Sequence, residues 1–136
     1  MSTGVDPSTL TVGQELPPVS ETIERLDLIR YAGASGDFNV IHWNDEVAKA
    51  VGLPGVIAHG MYSMGVAGRL LSAAGGPARI RRFKVRFSAM IQPGQRLTCH
   101  GRVAELRDGI AVLEIWAEDE QGNKVLSKGE AELGVG

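Results

Sequence analysis

From Gly60 to Ala74 the chain reads Gly-Met-Tyr-Ser-Met-Gly-Val-Ala-Gly-Arg-Leu-Leu-Ser-Ala-Ala. It is apolar almost all the way round a helical turn, and a helix of that kind must be buried. The run is short and carries Arg69, so it does not fit a bilayer span. Gly65, Ala67, Gly68, Ala73 and Ala74 keep the helix thin enough for a sheet to wrap closely around it. Gly75-Gly76-Pro77 stops it. Whatever else the chain does, it must supply a cover for this rod.

The residues that follow can supply it. In Arg82–Phe87, Phe83, Val85 and Phe87 alternate with Arg82, Lys84 and Arg86, the period of a half-buried strand. After a Pro93-Gly94 turn, Leu97–Leu106 reads as a second strand. Asp108-Gly109 marks a hairpin into a third, Ile110–Glu118, with Ala111, Leu113, Ile115 and Ala117 on one face. Beyond Gln121-Gly122-Asn123 a fourth strand is expected to turn Val125, Ser127, Gly129, Ala131 and Leu133 inward. Lys124, Lys128, Glu130 and Glu132 then face out. Together these read as an antiparallel meander. One long buried helix under an antiparallel sheet is an α+β layer. A single sheet of this size leaves edges and one side incompletely covered, which a dimer with two joined sheets would remedy.

Upstream, residues 1–11 are small and polar and are expected to form a flexible N-terminal arm. Val19–Ile23 reads as a short strand, suited to a sheet edge because Pro17 and Pro18 precede it. Leu28, Ile29 and Ala32 recur at helical spacing within Arg25–Ala32, and Gly33 with Ser35-Gly36 ends that helix. Asn44 is placed to cap a further short helix, Asp45–Val51, with Asp45 and Glu46 in its first turn.

Between the two short helices lies the densest chemistry. Asp37 and His42 put a carboxylate and an imidazole on one loop, close enough in sequence to meet at a common point. Such a pair can hold a water, take a proton and return one. The plainer reading is a turn-capping Asp beside an exposed His. Gly60, where the buried helix begins, offers a free backbone N–H backed by the helix dipole, suited to a developing oxyanion. His59 beside it could complete a two-His, one-carboxylate metal set with His42 and Asp37. The spacing of the two histidines fits no short metal motif, so His59 is read as shaping the site, with Ser35 and Asn39. Arg82, Lys84 and Arg86 form a basic stripe, either a solvated face or a contact for phosphates or an acidic carrier protein.

Composition narrows the classes. A chain of 136 residues is one domain. With a net charge of -2 there is no global electrostatic case for nucleic acid. The lone Cys99 excludes a disulfide framework and points to a reducing, cytoplasmic setting. Met1–Pro7 has no basic or apolar segment of the kind a secretory signal needs, and no membrane association is expected.

Tyr-Ala-Gly-Ala-Ser-Gly-Asp-Phe-Asn-Val-Ile-His-Trp-Asn-Asp-Glu-Val-Ala over Tyr31–Ala48, followed by Ala58-His-Gly-Met61, resembles the hydratase-2 signature of the MaoC-like, (R)-specific enoyl-thioester hydratase/dehydratase family. The resemblance runs from about Val12 to Leu133. It looks strongest toward the small single-domain (3R)-hydroxyacyl-carrier-protein dehydratase subunits. It implies a hot-dog fold over residues 12–136, in which the sheet wraps Gly60–Ala74 and two chains pair. It also implies that Asp37 and His42 are the catalytic dyad, that Gly60 binds the thioester carbonyl and that Asn39 shapes the loop. Two residues depart from the pattern: Val40 where the family often has Pro, and Gly68 where some members have Ser.

The implied reaction is reversible hydration of a trans-2-enoyl thioester of coenzyme A or acyl carrier protein, without metal or organic cofactor. The partner implied is a second hot-dog subunit, identical or related. Two alternatives stand beside it. A hot-dog thioesterase would want an acidic residue on the buried helix, and Met61–Ala74 has none. A non-catalytic partner subunit would be expected to lack the dyad.

Overall fold

The computed structural model describes residues 4–135. It contains five strands and three α-helices: β1 (Val19–Thr22), α1 (Arg25–Ser35), α2 (Asp45–Ala50), α3 (Gly60–Ser72), β2 (Ile80–Phe87), β3 (Arg96–Arg107), β4 (Ile110–Glu118) and β5 (Lys124–Gly134). The strands form one antiparallel sheet in the order β1-β3-β4-β5-β2. Helix α3 touches all five of them. This is the expected wrapped helix, a single α+β hot-dog layer.

The core follows from period. Ala111, Leu113, Ile115 and Ala117 of β4 are fully buried, as are Leu97 and Cys99 of β3 and Ala131 and Leu133 of β5. They meet Val66, Ala67, Leu70 and Leu71 of α3. Burial of the Cys99 thiol pushes its pKa up to about 12, so it behaves as a small hydrophobe. Asp108 (φ 46) and Gly109 (φ 74) make the β3–β4 turn with both central residues left-handed, the geometry that suits a tight hairpin.

Four expectations are corrected. The meander covers only β3-β4-β5. β1 occupies the free edge of β3, so β2, coming out of α3, pairs with β5 at the opposite edge. On β5, Leu126 is buried while Ser127 is only half-buried. The β4–β5 register shifts between Ile115 and Ala117, Lys128 takes φ 48, and the bulge inverts the alternation on either side of it.

The segment expected as a mobile arm is docked over its described part. Val5 N–H donates to the Ala73 carbonyl at 3.0 Å, and Pro7 and Leu10 are buried. Apolar residues at those two positions find the end of α3 and the sheet. Met1–Thr3, the rest of that arm, lie outside the described residues. Helix α3 is also not buried all round, for Met61, Gly65 and Arg69 at successive turns lie open.

Two caps set the site elements. Gly36 in the left-handed conformation (φ 78) closes α1 through its N–H to Ala32, which places the next residue, Asp37, at the start of the loop. The Asn44 side chain accepts from Val47 N–H at the head of α2, a cap worth about 1 kcal/mol. No helix among the described residues is long and apolar enough to cross a membrane.

Candidate active site

The loop after α1 folds back on itself. Asn39 caps a 3₁₀ turn over Val40–His42 by accepting from Ile41 N–H. Val40 thus holds a first-turn position that proline would also suit. The Trp43 indole N–H donates to the Phe38 carbonyl at 3.0 Å and ties the two ends of the loop. Asp37 and His42 are thereby brought face to face, Oδ2 to Nε2 at 3.8 Å.

Each member of that pair is oriented by a further bond. Oδ1 of Asp37 accepts from Asn39 N–H at 3.2 Å, which leaves Oδ2 for the site. Nδ1 of His42 lies 2.7 Å from the Ile57 carbonyl. A carbonyl can only accept, so Nδ1 carries a proton, and Nε2 is the nitrogen that offers a lone pair toward Asp37 when the ring is neutral. The His42 side chain is 9% exposed and that of Asp37 51%. The imidazole is therefore sheltered while the carboxylate meets solvent. Two acceptors facing each other at this separation suit a molecule that donates two protons, and water is the simplest.

His59 supports the pair from behind. Its Nε2–H donates to the Asp37 carbonyl at 3.2 Å. Its ring stacks on His42 at 3.8 Å between centroids and takes the edge of Tyr31 at 4.8 Å. Burial holds its pKa below the ordinary histidine value, so it is neutral near pH 7.

Asp37, His42 and His59 each bring a potential ligand atom within 4.8 Å of the others. The two imidazole planes are nearly parallel, 22° apart, and one nitrogen of each is taken by a backbone carbonyl. Lone pairs in stacked planes run side by side and do not converge on one ion, so the set suits a metal poorly.

Gly60 follows His59 as the first residue of α3. An N–H in the first turn of a helix has no intrahelical acceptor and lies at the positive end of the dipole. A Cβ at Gly60 would sit 3.0 Å from the Phe87 ring, so glycine also permits close approach of that ring. Two cavities meet here. One, mostly apolar, runs from His42 and Gly60 past Ile57, Ser63, Phe87 and Leu126. The other is bordered by Tyr31, Ser35, Asp37, His59 and Gly60. Gly60 and Phe87 border both.

Of the residues singled out in the sequence, Asp37, His42, His59, Gly60 and Ser35 thus come together. Asn39 acts on the loop backbone. Arg82, Lys84 and Arg86 line neither cavity, and Arg82 already faces Glu130 at 3.4 Å and Glu132 at 3.6 Å. Sequence reasoning missed the Ile57 carbonyl, the stacking of His59 and the cavity-lining Ser63. Only the last had a signal, a hydroxyl three residues after Gly60 on the same helix face.

The family model of the MaoC like domain matches residues 8–120 of this chain. The fatty acid synthase subunit beta of Aspergillus oryzae is 36% identical over 111 residues, which cover 79% of this chain and 6% of that protein. A solved structure of a MaoC-like dehydratase is 33% identical with a TM-score of 0.91, covering 98% of this chain and 43% of that one. R-hydratase PhaJ1 from Pseudomonas aeruginosa, unliganded, is 26% identical with a TM-score of 0.86, covering 96% and 84% of the two chains. This chain therefore spans a small fraction of the synthase subunit and less than half of the first of these structures.

Proposed function

This chain belongs to the MaoC like domain family, and on that premise we propose that it is a hydro-lyase interconverting a trans-2-enoyl thioester and a (3R)-hydroxyacyl thioester in fatty-acid-type metabolism. The observation that carries the reading is the Asp37–His42 pair, two acceptors 3.8 Å apart at the head of α3. Water between them donates to both and turns its own lone pairs toward C3. Its oxygen bonds to C3 as the C2–C3 π pair moves toward the thioester carbonyl, where Gly60 N–H stabilises the enolate oxygen. The proton taken from water by the pair passes to C2 as the enolate collapses, so the enzyme ends as it began. The R-hydratase among the similar structures and the synthase relative support this assignment. The test is chemical. Incubation with crotonyl-CoA should yield 3-hydroxybutyryl-CoA of R configuration by chiral chromatography.

The acyl thioester binds with its chain in the apolar cavity beyond His42. Its carrier, coenzyme A or acyl carrier protein, meets the basic stripe through Lys84 and Arg86, since Arg82 is already engaged. The working form is a dimer, identical when this chain is alone and mixed where a related hot-dog subunit is present. The open stripe on α3, the exposed Met61, Phe87 and Met90, and the free edge of β2 support a second subunit. A cytoplasmic setting is part of the same reading and rests on the lone buried thiol.

A further inference from the structure

Ser63 stands one turn beyond Gly60 on α3 and is 1% exposed. It borders the cavity that runs past His42 and Gly60 and is otherwise almost wholly apolar. Among the described residues its hydroxyl has no hydrogen-bond partner, and the nearby His59 carbonyl is taken by the backbone N–H groups of Tyr62 and Ser63. A hydroxyl at a cavity wall with no protein partner is left to bond to whatever the cavity holds. The Cα–Cβ bonds of a helix lean toward its N-terminus, so residues three apart share a face and the later one reaches back toward the earlier. The Ser63 hydroxyl therefore reaches toward the region that the free Gly60 N–H serves.

We propose that Ser63 is a second donor to the thioester carbonyl, so that the enolate oxygen is held by one backbone N–H and one side-chain O–H. The assignment rests on the hydration reading and extends it to a residue the sequence motif does not contain. The hydroxyl keeps its own proton throughout. It acts by a hydrogen bond that strengthens as charge builds on the oxygen, and the expected signature is therefore in kcat and not in KM.

Ser63→Ala, Ser63→Thr and Ser63→Val are compared with the unaltered protein on crotonyl-CoA. Expected for Ser63→Ala is a loss of about a hundredfold in kcat, the low end for one oxyanion donor, with KM near its original value. Its melting temperature should hold or rise, because an unpaired polar group has been removed. Ser63→Thr should recover most of the rate and Ser63→Val, of the same shape without the hydroxyl, should not. An active parent with an equally active Ser63→Ala overturns the Ser63 assignment and leaves the hydration reading standing. So does a rate loss that tracks a lowered melting temperature and is shared by the Thr and Val variants. A parent with no turnover of the enoyl thioester removes both.

Discussion

His42 Nδ1 and the carbonyl oxygen of Ile57 lie 2.7 Å apart, and this bond decides which imidazole nitrogen can act as a base. Because the carbonyl only accepts, Nδ1 carries a proton, and in the neutral ring the lone pair on Nε2 faces Asp37. Replacing either member of the pair should cost activity, but the two changes should differ in stability. Asp37→Asn and His42→Ala each lower turnover by at least about a hundredfold. His42→Ala should also melt at a lower temperature, since it strips the partner from a backbone carbonyl and the ring from the His59 stack. Asp37→Asn, at an exposed side chain, should melt near the parent. Calorimetry alongside kinetics checks both.

Gly60 is expected to act through its N–H and not merely through its small size. Gly60→Pro deletes the N–H at a first-turn position that tolerates proline, and should lose about 10²–10³ in rate while staying folded. Gly60→Ala is the control, because its Cβ crowds the same Phe87 ring at 3.0 Å but keeps the N–H. An alanine variant as inactive as the proline variant would assign the loss to Phe87 packing.

The burial of His59 sets a pH dependence. Its folded pKa lies below the unfolded value of about 6.5, so as pH falls through that value the unfolded chain takes up a proton that the fold resists. Stability should be full above about 6.5 and fall as pH drops toward the depressed folded value. The groups around the ring are His42, Tyr31 and Asp37. His59→Gln can still donate to the Asp37 carbonyl but does not titrate. Melting temperatures at pH 7.5 and 5.5 should therefore separate less in His59→Gln than in the parent.

Chelation should leave catalysis intact, because the thioester acidifies C2 and the stacked imidazoles do not converge on an ion. Activity removed by exhaustive chelation and restored by a divalent metal would instead assign Asp37, His42 and His59 to a metal site.

Light scattering at micromolar concentration should give twice the monomer mass of 14.5 kDa, in keeping with the open α3 stripe and the free β2 edge. A monomer mass would contradict the homodimer, and a dimer formed only with a related subunit would favour the mixed assembly.

Much of this arrangement was legible in the residues, and the rest was hidden for physical reasons. Period two along Ile110–Glu118 predicted its buried face correctly, because nothing interrupts that face. The same reasoning failed at Leu126, where a bulge beside Gly129 shifts the phase, because a glycine within a strand does not say by itself how far the register slips. Asn44 as a cap and Asp108-Gly109 as a hairpin are local, and both hold. Strand order is not local. The alternation in Arg82–Phe87 marks Phe83 and Val85 as core-facing, but it does not say that Phe87 lies exposed or that β5 and not β3 lies alongside. Asp37, His42 and Gly60 stood out by residue type and spacing. The stack of His59 on His42 and the meeting of Ser63 with the His42 cavity depend on how α3 seats against the loop, which no spacing encodes.

The central claim is that the Asp37–His42 pair adds water to an enoyl thioester, and loss of the enone absorbance of crotonyl-CoA tests it most directly. Initial rates are measured for the parent, Asp37→Asn, His42→Ala and the double variant. The result expected is rapid loss with the parent and a slow rate in each single variant. The double variant should be little worse than either, since the two residues work as one unit. A folded parent that leaves the enone absorbance unchanged, or single variants that remove it at near-parent rates, would contradict the claim.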